Sequence, residues 1–201
     1  MDFFLRSISY IIHPLLMPLT GSLIYFYTAP RFIPYEIMTG KLFGLIILTV
    51  LIPIVLFFLL KSIGVIDSIH LENVKQRKIP LLLQSILLII VIKMVIDVSH
   101  YPELYFFFLG ILFSSLSAIF IAMFAIKASL HMIAISSLTM FIITLSIHFS
   151  LNLTLLISIL MVLNGLVATS RLHCKAHSGL ELILGFLIGV IPQLTLANLW
   201  L

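Results

Sequence analysis

Charge is what this chain has least of. Lys, Arg, Asp and Glu make up 9% of its 201 residues against 62% hydrophobic, and the mean hydropathy is +1.31. A soluble domain carries about 25% charged residues, so a water-soluble globular fold is excluded. Cysteine is scarcer still: Cys174 stands alone, which rules out an intrachain disulfide and a cysteine-built zinc cluster. Long polar tracts are also missing. The longest polar connection, Lys61 to Lys78, is far too short to fold by itself, so residues 1–201 form a single integral membrane domain. There is no basic tail either. The net charge of +4 is scattered over short connections, which argues against nucleic acid and fits positive-inside bias or an anionic lipid headgroup.

The gaps between charges mark out the spans. No Lys, Arg, Asp or Glu occurs between Arg6 and Arg31, enough for a helix across the hydrocarbon. This is span one, about Ile8 to Tyr27, too long for a signal-peptide core and without a small-residue cleavage site. Pro14 and Pro18 share one face of it and predict a kink, while His13 is read first as an interfacial helix-end residue. Ala29 to Lys41 is a breaker-rich connection. Span two runs from about Leu42 to Leu60 around Pro53, and span three from Ile79 to Ile96, with Lys93 and Asp97 spaced to pair across a turn. Span four is Leu104 to Ile126. The charge-free stretch from Lys127 to Arg171 is too long for one helix and divides at His148–Asn152, giving spans five (His131 to Ile147) and six (Leu153 to Thr169). Span seven is Gly179 to Leu199, where Gly185 and Gly189 have a spacing that serves either packing or function. The expected fold is all-α, a polytopic transmembrane bundle of about seven spans, with six as the other count the pattern allows.

Parity then brings three polar junctions to one membrane face. The first is the charge cluster of Asp67, His70, Glu72, Lys75, Arg77 and Lys78 before Pro80; the second is Lys127-Ala-Ser-Leu-His131; the third is Ser170 to Glu181. Polar groups between spans are costly unless they face one another, water or a charged ligand. In the third junction Glu181 lies four residues beyond His177 and can orient its imidazole, leaving the other ring nitrogen basic. Arg171 supplies a planar donor fork suited to phosphate. Ser178-Gly-Leu-Glu181 also reads as a capping box, an alternative use for Glu181. Ser129 is placed to cap span five with amides free for an anion. Lys75, Arg77 and Lys78 read equally as headgroup anchors; His173 and Lys175 read as interface anchors.

With these residues in view, the chain resembles the phosphatidic acid phosphatase type 2 superfamily. Ser170-Arg171, five residues, His177, three residues and Glu181 follow the third part of that family's signature, with Glu for Asp. Ala128-Ser129-Leu130-His131 resembles its second part, Pro-Ser-Gly-His, in Ser and His. For the first part, Arg77 lies three residues before Pro80 with His70 seven before it, so Arg77 with Lys75 or Lys78 stands in by analogy only. The likeness covers about 72–189.

The resemblance implies a metal-independent lipid phosphate or diphosphate phosphatase working through a phosphohistidine. His177 is then the nucleophile, Glu181 its orienting carboxylate, His131 the acid for the leaving group, and Arg171, Ser129, Arg77, Lys75 and Lys78 the phosphate ligands. It implies membrane lipids as partners and a multi-pass protein of a bacterial inner membrane. The alternatives are a non-catalytic protein that binds an anionic lipid and a lipid phosphotransferase. All Lys and Arg except Arg31, Lys41 and Lys93 fall on the motif face, which the positive-inside count puts in the cytoplasm; similar bacterial enzymes often face the periplasm.

Overall fold

The computed structural model describes residues 2–67 and 74–201; for Asp2, Phe3, Phe4, Arg6 and Tyr10 it describes the backbone alone. His70 and Glu72, assigned above to the first junction, lie outside the described residues. Nine α-helices, with no strand among the described residues, build seven helical stretches long and apolar enough to cross a membrane. The chain is an integral, multi-pass membrane protein. Large apolar side chains such as Phe43, Val55, Leu155 and Val162 point outward. In water they would be aggregation patches; in a bilayer they meet lipid.

Span one is two helices, α1 (Asp2–Ile11) and α2 (Met17–Thr28), joined by a 3₁₀ turn at Pro14–Leu16. The kink expected from the prolines is a full break. His13 closes it, its Nδ1 accepting from the Leu15 amide at 3.3 Å, which replaces a helical hydrogen bond the prolines forbid. Span two starts earlier than its charges suggest, because Pro34 serves as N-cap of α3 (Tyr35–Ile46) and Glu36 sits in its favourable first turn. The Ala29 to Lys41 connection is thereby shortened to 29–34. A π turn at Ile47–Leu51 precedes α4 (Ile52–Ser62) and accommodates Pro53 without ending the span.

Span three is α5 (Lys78–Ile90), entered by a 3₁₀ turn at Val74–Arg77 and left by a π turn at Val91–Val95. Because the helix unwinds there, the pairing expected between Lys93 and Asp97 does not form. Asp97 instead binds His100 Nδ1 at 2.6 Å and accepts from the Ser99 amide; the His100 hydrogen bond, then the Ser99 amide, hold its carboxyl below the ordinary range. The remaining spans are α6 (Pro102–Met123), α7 (Leu130–His148), α8 (Thr154–His173) and α9 (Gly179–Ala197).

At the centre, Phe107 of α6 stacks on Phe141 of α7 with centroids 4.1 Å apart, beside fully buried Tyr25, Phe108 and Leu138. Helices α7 and α9 lie closest together. A Cβ on Gly185 would sit 2.7 Å from the Ser129 carbonyl oxygen, and one on Gly189 would fall 2.0 Å from Ser136 Oγ and 2.4 Å from the Ile133 carbonyl. The Gly-x-x-x-Gly spacing is thus a packing device. The face opposite the motifs holds one buried acid: Glu103 is fully inaccessible and takes Tyr25 Oη at 3.0 Å, His148 Nε2 at 3.1 Å and the Arg31 guanidinium.

Two outcomes follow from this packing. Gly189→Ala should destabilise the protein by roughly 1–3 kcal/mol through overpacking, whereas Gly165→Ala, where an added Cβ meets nothing within 4 Å, should leave the Tm unchanged or raise it; thermal unfolding in detergent distinguishes them. Glu103→Leu strands three partners and should cost roughly 3 kcal/mol or more, while Asp97→Asn, at an exposed pair, should leave the Tm near wild type.

Candidate active site

Four short segments meet on one face of the bundle: the N-terminal helix, the turn at Val74–Arg77, residues 124–129 and residues 174–178. Span six is longer than its polar sequence predicts. Ser170, Arg171, Leu172 and His173 are its last turn, so the opening of the third junction is helix and the connection is 174–178. The turn closes in a Schellman arrangement: the Lys175 amide donates to the Leu172 carbonyl at 2.9 Å and the Ala176 amide to that of Arg171 at 3.1 Å. Lys175 occupies the left-handed position at φ 52°, where glycine is usual.

Helix α9 then begins at Ser178, and Glu181 does two things at once. Its amide donates to Ser178 Oγ at 3.4 Å, and its Oε2 accepts from both the Ser178 amide and His177 Nδ1, each at 3.0 Å. The capping box and the orienting carboxylate are one structure. Because a carboxylate only accepts, His177 carries its proton on Nδ1, which leaves the Nε2 lone pair for chemistry. The His177 side chain is 2% exposed. Burial first, and then the positive field of Arg77, push its imidazole down to about 4; Lys127 and Arg171 act in the same direction against the Glu181 hydrogen bond. His177 is therefore neutral at neutral pH.

Hydrogen bonds lace the segments together. Arg77, itself buried, donates to the Ala128 carbonyl at 2.8 Å, Lys127 Nζ to the Ala176 carbonyl at 3.1 Å, and the Ser129 amide to the Glu181 carbonyl at 3.1 Å. The N-terminal helix joins them through Ser9. Its carbonyl accepts from His131 Nε2 at 3.1 Å, and its Oγ lies 3.2 Å from Arg171 and 2.8 Å from Ser170 Oγ.

These segments roof a cavity of about 1010 Å3. Arg77, Lys127, His131, Arg171 and His177 line its outer end; Leu88, Phe107, Ile111 and Ala118 line its depth. The structure thus brings His177, His131, Arg171 and Arg77 to one cavity, with Glu181 behind His177. It does not bring the others. Ser129 is wholly buried, with its hydroxyl accepting from the Met132 amide at 3.5 Å and its own amide spent on Glu181, so it is a cap and strut outside the cavity wall. Lys75 and Lys78 also lie outside the wall. Lys75 lies on the turn that ends at Arg77, and Lys78 opens α5 directly after it.

Residues that the motifs do not contain complete the site. Lys127 replaces the expected Lys75 or Lys78 as second cation. His13 packs edge-on to His131, with centroids 5.7 Å apart, and lines the cavity with Ser9, against the interfacial reading made from its position. Parity was the available signal for both: Ser9 and His13 lie within the first turns of a span that starts on the motif face. His173 and Lys175, read as interface anchors, also line the wall, as does Cys174 between them. Comparison of the chain with family models, with curated proteins and with solved structures gives no match.

Proposed function

We propose that this protein is a membrane-embedded phosphatase of lipid phosphates or diphosphates, acting through a phosphohistidine, in a bacterial inner membrane as the family resemblance implies. One observation carries the reading: a carboxylate-oriented, neutral histidine shares a cavity with two arginines, a lysine and a second histidine, above an apolar interior. The cationic end suits a phosphate and the interior an acyl or prenyl chain.

In the first step His177 Nε2 attacks phosphorus and the bond from phosphorus to the lipid oxygen breaks, while Arg77, Lys127 and Arg171 stabilise charge on the equatorial oxygens. His131, entering this step as the imidazolium, gives its Nε2 proton to the departing oxygen and is left as the neutral imidazole, exchanging its hydrogen bond to the Ser9 carbonyl for one to that oxygen. In the second step water, deprotonated by His131, attacks phosphorus; the nitrogen–phosphorus bond breaks, and inorganic phosphate leaves with His177 restored. Glu181 holds the imidazole in register and stabilises the cation that forms.

A non-catalytic lipid-binding role is the second reading, and the observation that favours it is that His131 Nε2 is engaged by Ser9. Phosphate release from lipid phosphates in detergent separates the two. His177→Ala should abolish release, lowering kcat/KM by roughly 10⁴-fold or more, and an alkaline denaturing quench, in which a phosphohistidine survives, should trap phosphorylated wild type and no phosphorylated variant. Equal release by wild type and His177→Ala overturns the hydrolase reading. For wild type, kcat/KM should hold through pH 5 and fall as pH drops through about 4, where His177 gains its proton; an acidic limb near pH 6.5 contradicts a nucleophile so perturbed.

A further inference from the structure

Helix α5 turns one stripe toward the cavity: Arg77, Pro80, Leu81, Gln84 and Leu88. Arg77 and Gln84 are seven residues apart, two turns on one face, roughly 10 Å along the axis. Gln84 therefore sits well below the cationic end, where the wall is apolar. Three hydroxyls lie at comparable depth on other helices, and each has its proton committed. Ser114 donates to the Ile188 carbonyl at 2.8 Å, Ser137 to the Gly189 carbonyl at 3.0 Å, and Ser115 lies 3.0 Å from Ser85 Oγ and 3.4 Å from the Leu81 carbonyl.

Gln84 differs. It is half-buried and makes no hydrogen bond to the described residues. Its other neighbours, Pro53, Leu56, Phe57 and Leu60 of the second span, offer only apolar surface. An amide inside a membrane span without a partner is expensive. Gln84 lines the cavity, so a partner for its amide is supplied by whatever occupies that cavity.

We propose that Gln84 is a specificity-determining residue that donates to an ester carbonyl in the lipid backbone below the phosphate. The site then prefers ester-linked lipid phosphates to polyprenyl phosphates, whose chain has no oxygen at that depth. The proposal rests on the reading of this cavity as a lipid phosphate site. Arg77 and Gln84, on one helix, measure the separation between the two groups, so a ligand is read for head and backbone together.

The test uses full-length protein in detergent, wild type and Gln84→Met, with a diacylglycerol phosphate, its ether-linked dialkyl counterpart and a polyprenyl phosphate. For the diacyl lipid, Gln84→Met should lower kcat/KM about tenfold, mainly through KM, the loss of one hydrogen bond. For the dialkyl and polyprenyl lipids it should change little. Equal losses on all three, or no loss on the diacyl lipid, overturn the proposal; Gln84→Leu repeats the comparison should the Met variant be poorly folded. Thermal stabilisation by each lipid is measured in the His177→Ala background, so the outcome does not depend on turnover. If no lipid yields phosphate the hydrolase reading falls, and a Gln84-dependent preference for diacyl over dialkyl lipid in stabilisation still decides the role of Gln84.

Discussion

The close approach of α7 and α9 is the constraint on which the rest of the site depends. Lipid tails are as apolar as leucine, so two helices in a bilayer gain little by burying apolar surface against each other and must gain by fitting closely. Gly189 lets α9 lie on the Ile133 carbonyl and the Ser136 side chain, and Gly185 lets it lie on the backbone of Ser129. Ser136 and Ser137 then donate across the contact to the Phe186 and Gly189 carbonyls. The consequence appears one turn above Gly185, where the Ser129 amide reaches the Glu181 carbonyl. That bond ties the start of the helix bearing His131 to the start of the helix that His177 immediately precedes. Small residues in mid-membrane thus set the spacing of two histidines at its surface.

The second constraint is electrostatic. Arg77, Lys127 and Arg171 repel one another on one face, and each is held by its own hydrogen bond: Arg77 and Lys127 to backbone carbonyls, Arg171 to Ser9 Oγ. Carbonyls and hydroxyls fix each guanidinium or ammonium in position. The opposite face solves the inverse problem. There Glu103 is buried and surrounded by Tyr25, Arg31 and His148, and paired groups of that kind hold helices together without leaving a field for a ligand. The same few charges therefore line a cavity at one end of the bundle and close a clasp at the other.

Much of this was legible in sequence because membranes simplify the code. Charge-free stretches gave the spans, and counting crossings placed Arg77, His131, Arg171 and His177 on one face before any packing was known. What stayed hidden depended on direction instead of position. Lys75, Arg77 and Lys78 are indistinguishable as a basic cluster, yet the 3₁₀ turn of residues 74–77 aims only Arg77 at the cavity. Lys127 lies next to a recognised motif but outside it, and His13 looked interfacial until the chain break at Pro14 brought it beside His131. Ser129 caps span five as its sequence position suggests, but its own amide is taken by Glu181 and it does not line the cavity.

Glu181 shows why choosing between structural and functional roles is the wrong choice at this position. One carboxylate oxygen receives the Ser178 amide and His177 Nδ1 together. The cap fixes the carboxylate relative to the helix axis, and the carboxylate fixes the imidazole relative to the cap, so the ring is oriented by a helix that the glycine contact has already fixed. A freely rotating Glu four residues from a His would have to be ordered when the ligand binds, at the cost of its rotamer entropy. Here that ordering is complete on folding, because the residue that caps the amide end of α9 is the same one that holds His177. A Glu suits this position in these terms: in the Ser-x-x-Glu cap the side chain reaches back to the cap residue's amide while still touching the preceding imidazole.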